Sequence, residues 1–322
     1  MSKPPLTRVG LQLSGYTRTG VRDRDLFSGI VDTVLAAETN GFDSVWTMDH
    51  LHQISTVGDA NEPILEAYTT LAALAAVTST VRLGTLVSAC GFRNPALLAK
   101  MVTTIDVISK GRAILGIGAG WHEDEYRAYG FDFPSTRERL RQLEGAVRIC
   151  RDMFAAPGEM SSRVLGGGPV NMPPPVQLGG PPILIGGGGE KVLLPMVAKL
   201  GDACNLFGGP ATVRHKIAVL DNACAAIGRD PAEITKTWLG TAILADSEWE
   251  LHAQLVRLGE LFKLSPRAVR GFALCGTADD IRQQVDAYRQ AGIGGIIVNV
   301  IDAADIQHIE RVGLVLREAM EA

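Results

Sequence analysis

Eight short runs rich in Val, Ile and Leu recur along the chain, each followed by a longer amphipathic stretch. This alternation constrains the fold more than any other feature. The runs are 8–13 (RVGLQL), 43–48 (DSVWTM), 81–87 (VRLGTLV), 112–117 (RAILGI), 183–186 (ILIG), 203–207 (ACNLF), 236–244 (KTWLGTAIL) and 295–300 (GIIVNV). Helical patterns occupy 25–40, 65–79, 95–109, 135–154, 190–200, 211–227, 248–262, 278–291 and 303–321. The runs are apolar throughout rather than alternating, which marks parallel strands covered on both faces. Eight βα units in 322 residues predict an α/β fold of the (β/α)8 TIM-barrel type, with residues 1–322 as one domain. A doubly wound sheet would carry G-x-G-x-x-G after its first strand. The residues there are SGYTRTG, so the barrel is preferred.

Local signals support the helix boundaries. Asn94 and Pro95 form a cap and first helical position, and Ser135 with Glu138 fits a capping box. Gly41, Gly111 and Gly201 stand where helices close before strands. One stretch breaks the repeat. Residues 156–182, before the fifth strand, are crowded with Gly and Pro. They form an insertion, expected as a loop partly covering the top of the barrel or as a plain surface connector.

Bulk properties exclude several classes. The net charge is −4 and no Lys/Arg block exceeds two neighbours, so nucleic acid is not an expected partner. No run of 18 apolar residues suits a membrane span. The opening MSKPPLTRVGLQL lacks signal-peptide features. Cys90, Cys150, Cys204, Cys224 and Cys275 are widely spaced and never C-x-x-C, as expected of buried thiols in a reducing cytoplasm.

Chemistry in such a barrel sits at the C-terminal strand ends. There the chain places Gln12 and Ser14, Asp49, His50 and His52, Ser88 and Cys90, Trp121, His122 and Glu123, Asn205, Asn299 and Asp302. A metal site has few ligands to draw on, because His215, His252 and His308 fall on helices. No G-x-S-x-G or Cys with a His–acid pair offers a nucleophile. Glycines are more informative. ILIGGGGEK runs from a strand through Gly186, Gly187, Gly188 and Gly189 into a helix expected near Glu190, a backbone cradle for an anion. Gly116, Gly118 and Gly120 alternate across the end of the fourth strand, leaving an opening suited to a flat ring.

Three segments together resemble a known family: GFDSVWTMDHLH, the long stretch from EAYTTLAALAAVTSTVRLGTLVSACGFRNPALLAK to GIGAGWHEDEYRAYG, and PPILIGGGGEKVLLPMVAKLGDACNLFG. The chain is similar to the bacterial luciferase-like monooxygenase superfamily, most closely to its oxidoreductases that use coenzyme F420, a deazaflavin. The resemblance implies a TIM barrel with an insertion before the fifth strand. It implies that Asp49 and His50 lie beside the deazaflavin, with His50 as acid/base. A non-proline cis peptide behind the ring maps to Leu86–Val87. Gly118, Ala119, Gly120 and Trp121 would flank the ring, and Gly187, Gly188 and Gly189 would hold the cofactor phosphate. Related sugar-phosphate dehydrogenases carry Glu where this chain has Trp121. That departure points away from a sugar phosphate and towards an apolar or aromatic small-molecule substrate.

The expected reaction is hydride transfer, with His50 as proton donor because imidazole titrates near neutral pH. Asp49 is expected to orient it, with His122 and then His52 as alternative donors. FMN is the alternative cofactor, since both cofactors end in a ribityl phosphate. The acidic tail of F420 would favour basic surroundings, for which Lys191 and Lys199 are candidates. The resemblance also implies a homodimer, with 65–79 or 95–109 as candidate interface helices. Two other classes stay open: a metal-dependent hydrolase built on Asp49, His50, His52 and Asp302, and a non-catalytic F420 carrier. Specificity is expected from the insertion, the mouth loops and an irregular segment, 262–276.

Overall fold

The computed structural model describes residues 6–15, 22–55, 57–155, 169–300 and 303–322. Eight parallel strands close on themselves. They are β1 (Val9–Leu13), β2 (Ser44–Thr47), β3 (Arg82–Thr85), β5 (Ala113–Gly118), β6 (Ile183–Gly186), β7 (Ala203–Leu206), β8 (Thr235–Leu244) and β10 (Gly295–Val300). Each pairs with the next, and β10 pairs with both β8 and β1, so the ring has no edge. This is a TIM barrel. Two short strands sit outside the ring: β4 (Ser88–Ala89) on the end of β5, and β9 (Ala273–Gly276) on the end of β8.

The continuous apolar runs serve two cores at once. Leu11, Val45, Leu83, Leu115, Ile183, Ile185, Ile296 and Val298 face the outer helices. Trp46, Ile114, Leu184, Ala203 and Ile297 turn into the barrel. Successive strand side chains point to opposite faces, so both sides of each strand are apolar. Trp46 fills the lumen because its neighbours carry no side chain. A Cβ on Gly10 or Gly84 would come within 2.7 or 3.0 Å of its ring.

The helices described are α1 (Leu26–Thr39), α2 (Ala67–Val77), α3 (Pro95–Ile108), α4 (Glu123–Ala128), α5 (Thr136–Phe154), α6 (Leu193–Leu200), α7 (Pro210–Ala225), α8 (Glu248–Phe262), α9 (Pro266–Arg270), α10 (Ala278–Gln290) and α11 (Ile306–Glu321). Asn94 caps α3 as expected, its side chain accepting the Ala96 and Leu97 N–H groups. Ser135 caps α5 through the Glu138 N–H, while the Glu138 carboxylate turns instead to Arg141. Gly41 and Gly111 take positive φ, 103° and 92°, as helix-closing glycines do. Gly201 does not; it is extended, at φ −87° and ψ 148°.

One expectation is corrected here. Segment 262–276 is not irregular: it contains α9 and β9. Its brevity hid both elements from periodicity. Of the two readings of the insertion, its described part, 169–182, fits the plain connector and not a cover over the top of the barrel. It links a helix to the following strand, and such connections belong to the opposite end. Asn171 donates to Thr103 Oγ1, and Lys100 Nζ donates to the Met172 carbonyl. The buried Asp106 carboxylate then takes the N–H groups of Val176 and Gln177 and the Gln177 amide. The segment therefore runs down α3 to the N-terminal ends of the strands. Residues 156–168 lie outside the described residues.

All five cysteines are buried and free. Burial pushes the thiols of Cys150 and Cys204 up to about 12. No helix among the described residues is long and apolar enough to cross a membrane.

Candidate active site

Chain geometry at the end of β2 sends Asp49 and His50 to different partners. Asp49 turns inward, where both of its oxygens are held by Arg93, at 2.5 and 3.0 Å. Arg93 also reaches Glu66 at 2.5 Å and lies over the Tyr68 ring, 4.7 Å from its centroid. Burial raises the Asp49 carboxyl above its ordinary value against the opposing pull of Arg93. Burial alone would lower the guanidinium, but the Asp49 carboxylate beside it pushes it up. Asp49 thus anchors Arg93 at the floor of the site and does not orient His50, contrary to the sequence expectation.

The partner of His50 is Glu125, on α4. His50 Nδ1 lies 2.8 Å from Glu125 Oε2, and the Leu51 N–H donates to Oε1 at 2.5 Å. The Glu125 side chain is fully buried. Burial would raise its carboxyl, but hydrogen bonds from His50 and the Leu51 N–H outweigh this and hold it below the usual range. The carboxylate is therefore ionised and can only accept, which makes Nδ1 the donor. His50 Nε2 is left as the atom available for proton exchange.

His50 forms part of the wall of a cavity of about 320 Å³ at the C-terminal end of the barrel. Asp49, Leu86, Val87, Gly118, Ala119, Gly120, Trp121 and Gly187 also line it, so sites from four strand ends converge. Gly188 and Gly189 are not among the lining residues. The Leu86–Val87 peptide is cis, in the interruption between β3 and β4, and Gln12 Nε2 donates to the Leu86 carbonyl. Beneath it, Tyr68, Ser88 and Thr85 hydroxyls are joined in a chain that ends on the Gly116 carbonyl.

The alternating glycines have separate jobs. A Cβ on Gly116 would sit 1.8 Å from the Thr85 carbonyl, so this glycine admits the backbone of β3 rather than a ring. Gly118 and Gly186 flank Val87, where a Cβ on either would come within 2.8 Å of its methyls. Gly120 has φ +75°, and a Cβ there would strike the Tyr126 hydroxyl. That hydroxyl is buried, on a residue lining the cavity.

The polyglycine turn is more open. The helix after it begins at Leu193, not near Glu190, and no side chain caps it. Gly187 has φ +122°. The cation at the turn is Lys216, from α7, which reaches the Gly188 carbonyl at 2.7 Å and Glu190 at 2.6 Å. Lys191 and Lys199, expected there from sequence, are exposed on or next to α6 and are not in its lining.

His52 and His122 form a ring cluster with His50 at the mouth. His122 Nδ1 accepts the Glu125 N–H, and its ring lies 6.1 Å from His50 and 5.5 Å from His52. His52 stacks on Tyr129 at 6.4 Å. No group of three or more His, Cys, Asp or Glu among the described residues could hold a metal ion. Asp302 lies outside those residues.

Four similarities to known proteins bear on this geometry. A 127-residue stretch is 41% identical to an F420-dependent glucose-6-phosphate dehydrogenase of Kineococcus radiotolerans, covering 39% of this chain. The match spans 36% of that protein, little more than a third of its length. The fold superposes on an F420-dependent secondary alcohol dehydrogenase bound to an F420–acetone adduct, with a TM-score of 0.75 and 18% identity, covering 96% of this chain and 99% of the other. It also superposes on the oxygenating constituent of 3,6-diketocamphane monooxygenase of Pseudomonas putida in complex with FMN, at TM-score 0.74 and 18% identity over 98% of both chains. The family model described as luciferase-like monooxygenase matches residues 8–262. The chain belongs to that family, and it is an enzyme.

Proposed function

We propose that this enzyme is a coenzyme F420-dependent oxidoreductase, moving a hydride between the deazaflavin and a small apolar or aromatic substrate. The observation that carries the reading is His50, held by a buried carboxylate at one nitrogen and free at the other, in the wall of a ring-sized cavity. The local identity to an F420-dependent dehydrogenase supports the deazaflavin over other cofactors.

The residues present fit such a group. A cavity of about 320 Å³ lies within the ~300–1,000 Å³ common for small-molecule sites. Its wall at Gly118, Ala119, Gly120 and Gly187 is nearly all backbone. Leu86 and Val87 would back the ring, Gly118 to Trp121 would flank it, and Gly187, Gly188 and Gly189 would meet the phosphate. When bound, the deazaflavin supplies hydride donation or acceptance.

The chain supplies the rest. His50 Nε2 gives a proton to the atom that becomes negative during reduction, or takes one during oxidation. Asp49 and Arg93 neutralise each other below the site and keep the floor rigid. Trp121 and Phe207 stand at the mouth, half exposed, as an apolar wall. Among the described residues no Lys or Arg lines the cavity, which supports a neutral substrate over a sugar phosphate.

An FMN-dependent monooxygenase is the second reading, favoured by the FMN-bound structure of the same fold. Titration with F420 and FMN in turn, followed by fluorescence, separates them: tight binding of FMN alone overturns the F420 reading. The same reading makes the protein a homodimer. The exposed Val77 on α2 and Leu97, Val107 and Ile108 on α3 support that, and sedimentation velocity returning a monomer would remove it.

A further inference from the structure

We propose that Glu125 is the positioning residue of the site, fixing His50 as the Nδ1–H tautomer so that Nε2 faces the bound molecule. The inference rests on the proposed role of His50 as the proton-transfer group.

Glu125 is placed to do this by two contacts to the loop after β2 and one to the cap of its own helix. Oε2 takes His50 Nδ1 at 2.8 Å, and Oε1 takes the Leu51 N–H at 2.5 Å. Its own N–H donates to His122 Nδ1 at 3.3 Å. One helical turn on, the Tyr129 hydroxyl donates to the Leu51 carbonyl at 2.8 Å. The short helix α4 is thereby stitched to the loop after β2. Nothing at the surface needs this carboxylate, since its side chain is fully buried. A buried carboxylate with two donors is costly unless both are kept.

The two donors make the requirement specific for a carboxylate. Two hydrogens point at two oxygens. A glutamine in this position keeps one oxygen and presents N–H₂ in place of the other. Either the Leu51 N–H loses its acceptor, or the amide donates to His50 Nδ1 and reverses the ring to the Nε2–H tautomer. In the reversed tautomer the neutral ring presents a hydrogen where it must accept one, so the proton cycle of His50 is broken in one direction. His122 has the opposite tautomer: its Nδ1 accepts the Glu125 N–H, so its neutral ring carries the hydrogen on Nε2.

The test is ¹⁵N NMR of histidine-labelled protein without cofactor, with the His50 signals identified by their loss in His50→Ala. The wild-type protein is expected to show a protonated Nδ1 in the neutral ring. Glu125→Gln and Glu125→Ala are expected to shift His50 towards Nε2–H, and to lower kcat by roughly 10²-fold while F420 affinity and KM stay within about threefold. A wild-type ring protonated at Nε2 overturns the proposal without recourse to any variant. So does an unchanged tautomer together with an unchanged kcat in Glu125→Ala. The parent reading fails separately: full turnover in His50→Ala removes His50 from the reaction whatever its tautomer.

Discussion

Arg93 and Lys216 each hold a carboxylate near the mouth of the same barrel, but only one pair is shut away from water. The Arg93–Asp49 pair has a side-chain exposure of 12% on the cation and none on the acid. The Lys216–Glu190 pair shows 23% and 39%. The first corner, at the ends of β2, β3 and β5, is crosslinked by Arg93, Glu66, Tyr68, Ser88 and Glu125 before any ligand arrives. The second, at the turn after β6, is glycine backbone with a solvated ion pair beside it. Desolvation makes the first corner expensive to disturb and leaves the second easy to reshape. The part of the site assigned to proton transfer is preorganised, and the part assigned to holding a phosphate is adaptable.

Substitutions at the two corners should therefore differ in scale. The largest effect is expected for His50→Ala, with kcat reduced roughly 10²–10⁴-fold and F420 binding retained in a fluorescence titration. Arg93→Ala comes next. It strands the Asp49 carboxylate in the interior, and urea unfolding should show a loss of about 3–5 kcal/mol. A loss below about 1 kcal/mol would mean that the closed corner is no stiffer than the open one.

Acid should find the closed corner too. The folded-state carboxyl of Glu125 is held below its ordinary value of 4.5. Its contribution to stability is therefore complete above about pH 4.5 and is lost as pH falls through the lower folded value. Tm measured between pH 3 and 6 should fall more steeply in wild type than in Glu125→Gln; parallel curves would show the carboxylate is not ionised there. Trp121→Ala should raise KM for an apolar substrate roughly tenfold, with a smaller change in kcat. The smallest effect belongs to Lys216→Ala. Because this lysine is partly solvated and already paired, F420 affinity should change by less than about threefold. A hundredfold loss would show that the open corner is built as tightly as the other.

Much of the fold was legible because it rests on composition over short windows. All eight barrel strands were placed within one or two residues, since each strand is apolar on both faces. The Asn94 cap was visible because the interaction is local. The cis peptide at Leu86–Val87 came from resemblance, not from propensity. Glu125 was missed for a physical reason. It lies 75 residues from His50, and only the pairing of β2 and β5 with β3 between them brings their strand ends together. Its signal was present in EDEY at the start of a helix too short for periodicity to reveal. Arg93 was hidden likewise, 44 residues from Asp49. The start of α6 at Leu193 was misplaced because glycines permit a turn as readily as a helix N-terminus. Trp121, Val87 and Gly118 were brought to one cavity with His50, as the strand-end argument required.

Asp106 has a practical consequence. It collects three donors from Val176 and Gln177 and so pins the returning limb of the insertion to α3, at the end of the barrel remote from His50. A load applied to the described limb, 169–182, would be borne by α3 at that end and not by the mouth. That limb is thus a natural attachment point for a tag or a surface tether, with turnover undisturbed.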